Sequence, residues 1–309
     1  MDRSRELKNC DAVKGILMIL VVLGHSMGMW MTGGWGPFEA SQSSVVLHYL
    51  ADWISTFHVF AFTLVSGYIF YYVKYEIGGY KNYLPFVILK VKRLVVPFLF
   101  VLFAWVVPVH IYFYGFGFNT VLHRFILGES PNQLWFLLML FWVFVLFWPI
   151  SNYARKHPLG GTIIVLLFML IGMGLTFVPN IYVFRTGLQY LLFFWVGFLI
   201  RQYGSDLLMK IPSIVYIMLD IVLFIVYEQI RQIDGIIFTI LLTGFSVVIH
   251  LVGAVMAFVL LQRFASKLGT NSKGVPYLVK HSMVVYLFHQ QVIYLVIKMT
   301  DGGCLRLYK

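Results

Sequence analysis

Residues 11–26 read DAVKGILMILVVLGHS. From Ile16 to Leu23 no polar side chain interrupts the run. Extended to 12–31, it reaches the roughly 20 residues that a helix needs to cross a bilayer. Yet Lys14 stands near one end and His25 near the other. An ionisable side chain at membrane depth costs free energy and marks a functional position by default. The surrounding chain is of the same apolar kind. Of its 309 residues 61% are hydrophobic and 11% charged, with a mean hydropathy of +0.86. A soluble domain carries about a quarter charged residues. The composition therefore predicts an all-α fold, a polytopic transmembrane helix bundle set in a lipid bilayer.

Runs suited to crossing appear at 12–31, 51–73, 94–114, 134–150, 159–178, 187–201, 211–227, 235–262 and 282–299, which makes about nine spans. The stretch 235–262 would cover ~42 Å as one helix, and it makes ten spans if it splits at Gly244 or Gly253. Positive charge arbitrates. Arg3, Arg5 and Lys8 set the N-terminus in the cytoplasm. Nine crossings then put Lys74, Lys81, Lys90, Lys92, Arg93, Arg155, Lys156, Arg201, Lys210, Arg263, Lys267, Lys273 and Lys280 inside. The outer loops hold few basic residues, Arg124, Arg185 and Arg231, and the C-terminus lies outside too. The formal charge of +11 is read as orientation signals and headgroup contacts rather than as a nucleic-acid surface. The inner segment 74–93, KYEIGGYKNYLPFVILKVKR, mixes aromatics with lysines and suits the membrane surface. Cys10 and Cys304 lie near opposite ends of the chain and have no metal-type spacing.

Few polar side chains sit at membrane depth: Lys14, His25, His58, Asp220, His250 and His289, with Asp11 at the edge. Eleven residues at 100° each amount to three turns plus about 20°. Lys14 and His25 therefore share a face, ~16 Å apart along the axis. His58, on the second span, falls at a depth similar to His25. Two imidazoles there suit a base and its partner; a metal pair is the alternative, but no carboxylate or third ligand accompanies them. Ser66–Gly67 reads as a close helix contact or, less simply, as a nucleophile. Trp135 suits an interfacial aromatic belt. Ser282, Tyr286 and His289 share one face of the last span, and His289 reads equally as a structural partner or a catalytic group. Asp220 and His250 read as structural. Trp35, Phe116, Phe118 and His123 lie in the outer loops 32–50 and 115–133.

Several stretches, taken in order, resemble the acyltransferase 3 family of integral-membrane O-acyltransferases, within it the smaller, fucose 4-O-acetylase-like members. They are D-x-x-K-G and VVLGHS within 11–26, FHVFAFTLVSGYIF at 57–70, KVKRLVVPF at 91–98 with the residue before it, LWFL at 134–137 and SMVVYLFHQ at 282–290. The resemblance covers nearly the whole chain, as one membrane-embedded domain over 1–309. It implies transfer of an acetyl group from cytoplasmic acetyl-CoA to a hydroxyl of a cell-surface or lipid-linked glycan, by a multi-pass protein of the bacterial inner (plasma) membrane. The family's basic-x10-His pattern falls on Lys14 and His25. Its Arg-x-x-Arg before the third span reads Lys90-x-x-Arg93 here, which loses a planar fork at the first place. By resemblance Lys14, Lys90, Lys92 and Arg93 hold the CoA phosphates. His25 deprotonates the acceptor or carries the acyl group, and His58 orients His25 or steadies the oxyanion. Ser66, Trp135 and His289 are expected at the substrate, and no metal is expected. The family's S-x-x-x-Y-L-x-H helix is typically followed by one more span, so the ending IKMTDGGCLRLYK is expected to lack the family's last helix.

Two other classes fit parts of the pattern. Intramembrane Lys and His also suit a proton-coupled transporter or flippase of a glycan or lipid precursor, although no inverted repeat is visible. A non-catalytic partner in polysaccharide assembly is the third reading. Oligomeric state, acceptor sugar and acyl chain are not written in the sequence.

Overall fold

The computed structural model describes residues 3–30, 38–39, 44–115, 117–126, 132–175, 177, 179–268, 274–300 and 306–307. The first helices are α1 (Arg3–Met27), α2 (Val45–Ser55) and α3 (His58–Tyr71). The third span joins α4 (Tyr83–Lys90), α5 (Val96–Val101) and α6 (Val107–Tyr114), and a short α7 (Phe118–Ile126) follows it. Then come α8 (Trp135–Lys156), α9 (Pro158–Gly174), α10 (Phe184–Tyr203) and a short α11 (Asp206–Lys210). The series ends with α12 (Ser213–Arg231), α13 (Ile236–Leu268) and α14 (Gly274–Thr300). Residues Phe38–Glu39 pair antiparallel with Arg306–Leu307. Among the described residues eight helical segments are long and apolar enough to cross a membrane, and Pro158–Gly174 is a shorter apolar helix beside them. The protein is thus an all-α polytopic bundle and an integral membrane protein.

Three boundaries are set by local causes, the first as the nine-span reading has it and the other two differing from that reading. First, 235–262 does not split, because α13 runs unbroken from Ile236 to Leu268. Gly253 serves a close contact instead: a Cβ there would lie 2.8 Å from Phe57 Cβ and 3.0 Å from Asp220 Oδ1. Second, the break falls in the second span, at Thr56–Phe57, where the Thr56 hydroxyl donates to Trp53 O at 2.7 Å. The ladder resumes with Ala61 N–H to Phe57 O at 2.8 Å. Third, the third span begins at Tyr83, so Lys90, Lys92 and Arg93 sit on a helix rather than in a surface loop.

The third span also carries two π-helical turns, Val91–Val95 and Leu102–Val106. Each is followed within two residues by a proline, Pro97 and Pro108. A proline has no N–H, and its ring crowds the carbonyl four residues back. Widening the preceding turn, with Val96 N–H to Val91 O and Val107 N–H to Leu102 O, lets the helix pass both prolines without ending. Pro149 inside α8 leaves the carbonyl of Val145 without its usual donor. The Tyr83 hydroxyl takes that place at 3.2 Å.

Lipid is as apolar as a leucine, so helices in it associate by close packing and polar links rather than by leaving water. The closest packing is between α3 and α10. A Cβ on Gly67 would run into Phe194 O, and one on Gly197 would run into Leu64 O. Beside this crossing Phe70 is fully buried, with its ring centroid 5.5 Å from Phe194, 5.7 Å from Phe147 and 5.8 Å from Phe86. Polar links tie the rest. Arg201 forks onto Glu76 at 2.7 and 2.6 Å. Trp53 donates to Asp220 at 2.7 Å, which supports the structural reading of that carboxylate. Lys74 donates to Ser151 at 2.6 Å and lies 3.9 Å over the Trp148 ring.

Gly197→Ala forces two backbones apart and is expected to destabilise the protein by roughly 1–3 kcal/mol or more. Gly174→Ala, which meets nothing within 4 Å, should leave stability unchanged. Thermal unfolding of both variants in one detergent checks the contrast; equal melting temperatures would refute the close-contact account.

Candidate active site

A cavity of about 470 Å³ lies among the spans. Its wall draws on α1 (Lys14, Met18, Val21, His25), on the α2–α3 break (Ser55, His58, Val59, Phe60) and on α14 (Ser282, Tyr286), with Trp135, Tyr190 and His250 opposite. Lys14 and His25 both reach it, as their shared helix face requires. Among the described residues Lys14 is the only lysine or arginine in this lining.

The partner of His25 comes from the last span. His289 Nε2 lies 2.9 Å from His25 Nδ1, and the two rings stack with centroids 4.9 Å apart. Hydrogen positions follow from the network. His289 Nδ1 faces two carbonyls, Tyr286 O at 2.8 Å and Val285 O at 3.2 Å. Carbonyls only accept, so Nδ1 carries the proton and, in the neutral ring, Nε2 carries a lone pair. His25 Nδ1–H then donates to it, which places the lone pair of His25 on Nε2. His58 Nδ1 in turn faces Ile54 O across the helix break at 2.7 Å, so its Nε2 also bears a lone pair.

His289, expected at the substrate by resemblance, lies within hydrogen-bond reach of His25 and is placed to orient it. His58, when neutral, presents an acceptor and not the N–H donor that an oxyanion needs. Ser66 lines the cavity and donates to Phe62 O at 2.9 Å, while its neighbour Gly67 makes the helix contact. Trp135 lines the cavity as well.

The basic cluster is gathered in part: Lys90 lies within electrostatic reach of Lys14 and Arg93, but Lys14 alone of them lines the cavity. Lys90 is buried with its ammonium 3.4 Å over the Phe144 ring and 5.0 Å over Tyr80, a cation–π arrangement. Lys92 and Arg93 are exposed. Starting the helix at Tyr83 rotates Lys90 toward α8, a turn that the loop reading did not foresee. Of the outer aromatics, Trp35 and Phe116 lie outside the described residues, and Phe118 is exposed on α7. Among the described residues no group of three or more His, Cys, Asp or Glu is placed to hold a metal ion.

A glutamine lock fixes the His289 helix. Gln133 Nε2 donates to Leu287 O at 2.9 Å and to Gln291 Oε1 at 2.6 Å, and its own N–H meets Gln290 Oε1 at 3.2 Å. Tyr286 donates to Gln133 O. The signal for this lock was visible as the adjacent Gln290 and Gln291 in an apolar helix, since amides at that depth bond across helices. His250, read as structural, proves to be part of the cavity wall.

The family model described as an acyltransferase domain matches residues 7–303. The chain belongs to the acyltransferase 3 family, and it is accordingly a membrane acyltransferase. No curated protein and no solved structure matches it.

Gln133→Leu strands the buried side-chain amide of Gln291, which donates to Gln133 Oε1 at 3.2 Å and accepts from its Nε2 at 2.6 Å. The expected cost is about 1–3 kcal/mol, together with faster amide exchange along 282–291. Exchange mass spectrometry checks it; unchanged protection would mean that the glutamines do not hold the helix.

Proposed function

We propose that this protein moves an acetyl group from cytoplasmic acetyl-CoA to a hydroxyl of a cell-surface or lipid-linked glycan, in a bacterial inner membrane with its N-terminus inside. The observation that carries the reading is the hydrogen-bonded pair of His25 and His289 at one end of a cavity that Lys14 also lines. Two intramembrane imidazoles, each with its tautomer set by a carbonyl or a neighbouring ring, suit proton abstraction better than ion passage.

In this scheme the donor enters at the Lys14 end, with the ammonium facing its phosphates and the thioester reaching toward His25. Lys92 and Arg93, exposed on the same span as Leu94 of the lining, attract the donor from outside the cavity. Lys90 holds the third span to α8 through Phe144 and acts on the donor only through the field it adds. His25 Nε2 takes the hydroxyl proton of the acceptor, and the oxygen attacks the thioester carbonyl. The carbon–sulfur bond breaks, and the proton passes from His25 to the departing thiolate. Acetyl ester and free CoA are the products, and His25 ends neutral. His289 accepts the Nδ1–H bond throughout and steadies the imidazolium between the two transfers, the role of an orienting group in a catalytic triad. The α2–α3 break puts the start of α3 on the cavity wall. Its amides at His58–Phe60 precede the first intrahelical bond, and the positive end of the helix dipole favours the oxyanion. His58 Nε2 accepts from a second hydroxyl of the acceptor and holds it in place. Ser66 and Trp135 complete the wall on the substrate side.

The test is transfer of radiolabelled acetyl from acetyl-CoA into membrane glycan. His25→Ala should lower the rate by about 10²–10⁴-fold, the usual share of a general base. Lys14→Ala should raise KM for the donor with a smaller loss in kcat, and Lys14→Arg should restore most of it. Label incorporation that survives His25→Ala would rule out the base assignment.

A further inference from the structure

A second chamber of about 360 Å³ adjoins the first and shares Phe60, Tyr190 and His250 with it. These rings form a stacked group. Phe60 lies 4.0 Å from His250 at 14° and 4.9 Å from Tyr190 at 7°. The remaining wall comes from α9 (Met169, Met173), α10 (Gln189, Phe193) and α13 (Thr243, Ser246, Val247). We propose that this second chamber is the binding site for the acceptor, an amphipathic sugar or polyol whose ring packs against Phe60, Tyr190 and His250 and whose apolar part lies along Met169, Met173 and Phe193.

The reading rests on the acyltransferase function proposed above, and three observations favour this occupant. First, among the described residues the lining holds no Lys, Arg, Asp or Glu, so nothing there answers the phosphates of a nucleotide donor. Second, the hydroxyls on α13 are turned to serve as acceptors. Thr243 donates its hydroxyl to Thr239 O at 2.8 Å and Ser246 to Thr243 O at 2.7 Å, while Gln189 donates one amide N–H to Gly172 O at 2.9 Å. The hydroxyls offer a ligand lone pairs, and Gln189 offers its carbonyl oxygen and its second N–H, which matches a molecule rich in hydroxyls, each able to donate and accept. Third, the chamber opens on the flank of the bundle. Thr243 is exposed, as is Ile240 nearly one turn earlier on α13. Met173 sits next to Gly174, where α9 ends. That helix is only ~26 Å long, less than the ~30 Å of a hydrocarbon core. An acceptor anchored in lipid thus reaches the chamber sideways near the membrane boundary, and its hydroxyl meets the histidines past the shared rings. Donor and acceptor approach from different chambers and meet at one wall.

Two blocking variants test this, Ser246→Trp and Met173→Trp, in the full-length protein. Acetyl transfer to glycan in native membranes should fall at least tenfold. Slow hydrolysis of acetyl-CoA by the purified protein without acceptor should stay within twofold. Transfer that persists in both variants, or donor hydrolysis that falls in parallel, overturns the assignment. Absence of any donor turnover in the wild type strikes instead at the acyltransferase reading, and the chamber is then judged by binding. With Cys10 and Cys304 replaced by alanine and Ser246→Cys introduced, octyl glucoside below its micellar concentration should slow alkylation of the new thiol at least threefold. Octanol at equal concentration should not; equal protection by both means an apolar groove with no site for a sugar.

Discussion

Where α3 crosses α10, two backbones touch. Gly67 faces the carbonyl of Phe194, and Gly197 faces the carbonyl of Leu64. No other pairing of side chains permits that approach. In a medium where apolar surface gains nothing by clustering, such contact supplies the dispersion and dipolar attraction that hold helices together. The rest of the site hangs on it. The α3 end that carries His58 and Phe60 is set by the crossing, and so is the stretch of α10 that carries Tyr190. The crossing thereby fixes two walls, one from α3 and one from α10, that the two chambers share.

The chemistry of the site depends on a chain of lone pairs. Backbone carbonyls of α14 decide the proton on His289, which decides the proton on His25. In the proposed scheme a base so oriented needs no carboxylate, and a carboxylate would be costly at that depth. Elsewhere in the bundle Arg201 is neutralised by Glu76, and Lys74 and Lys90 lie over aromatic faces.

Hydropathy made the spans legible, because a membrane crossing leaves a long and unambiguous apolar run. Helical periodicity was enough to put Lys14 and His25 on one wall, and Ser66–Gly67 declared a helix contact. Its counterpart Gly197 was silent, since one glycine in FFWVGFLI looks like any other. Depth along a span could be read, but rotation about the axis between spans could not. That is why His58 rather than His289 was paired with His25. Lys90 was misplaced for a related reason: KNYLPFVILKVKR carries charges enough to look like a loop, yet three aromatic rings shield the one lysine that faces inward. The break at Thr56–Phe57 has no glycine or proline to announce it. It is made by a threonine hydroxyl bonding to its own helix.

Pro149 leaves a carbonyl bare in the middle of a crossing, and Tyr83 covers it. The order of synthesis gives this repair a direction. Tyr83 emerges from the ribosome well before Val145 and Pro149, so the hydroxyl is already near the bilayer when the flawed helix arrives. The eighth helix can thus be handed laterally from the insertion machinery to a neighbour that satisfies it, and it need not wait in lipid with an open hydrogen-bond acceptor. A chain permuted to make the fourth crossing first would have the same contacts in its final fold and a harder route to them.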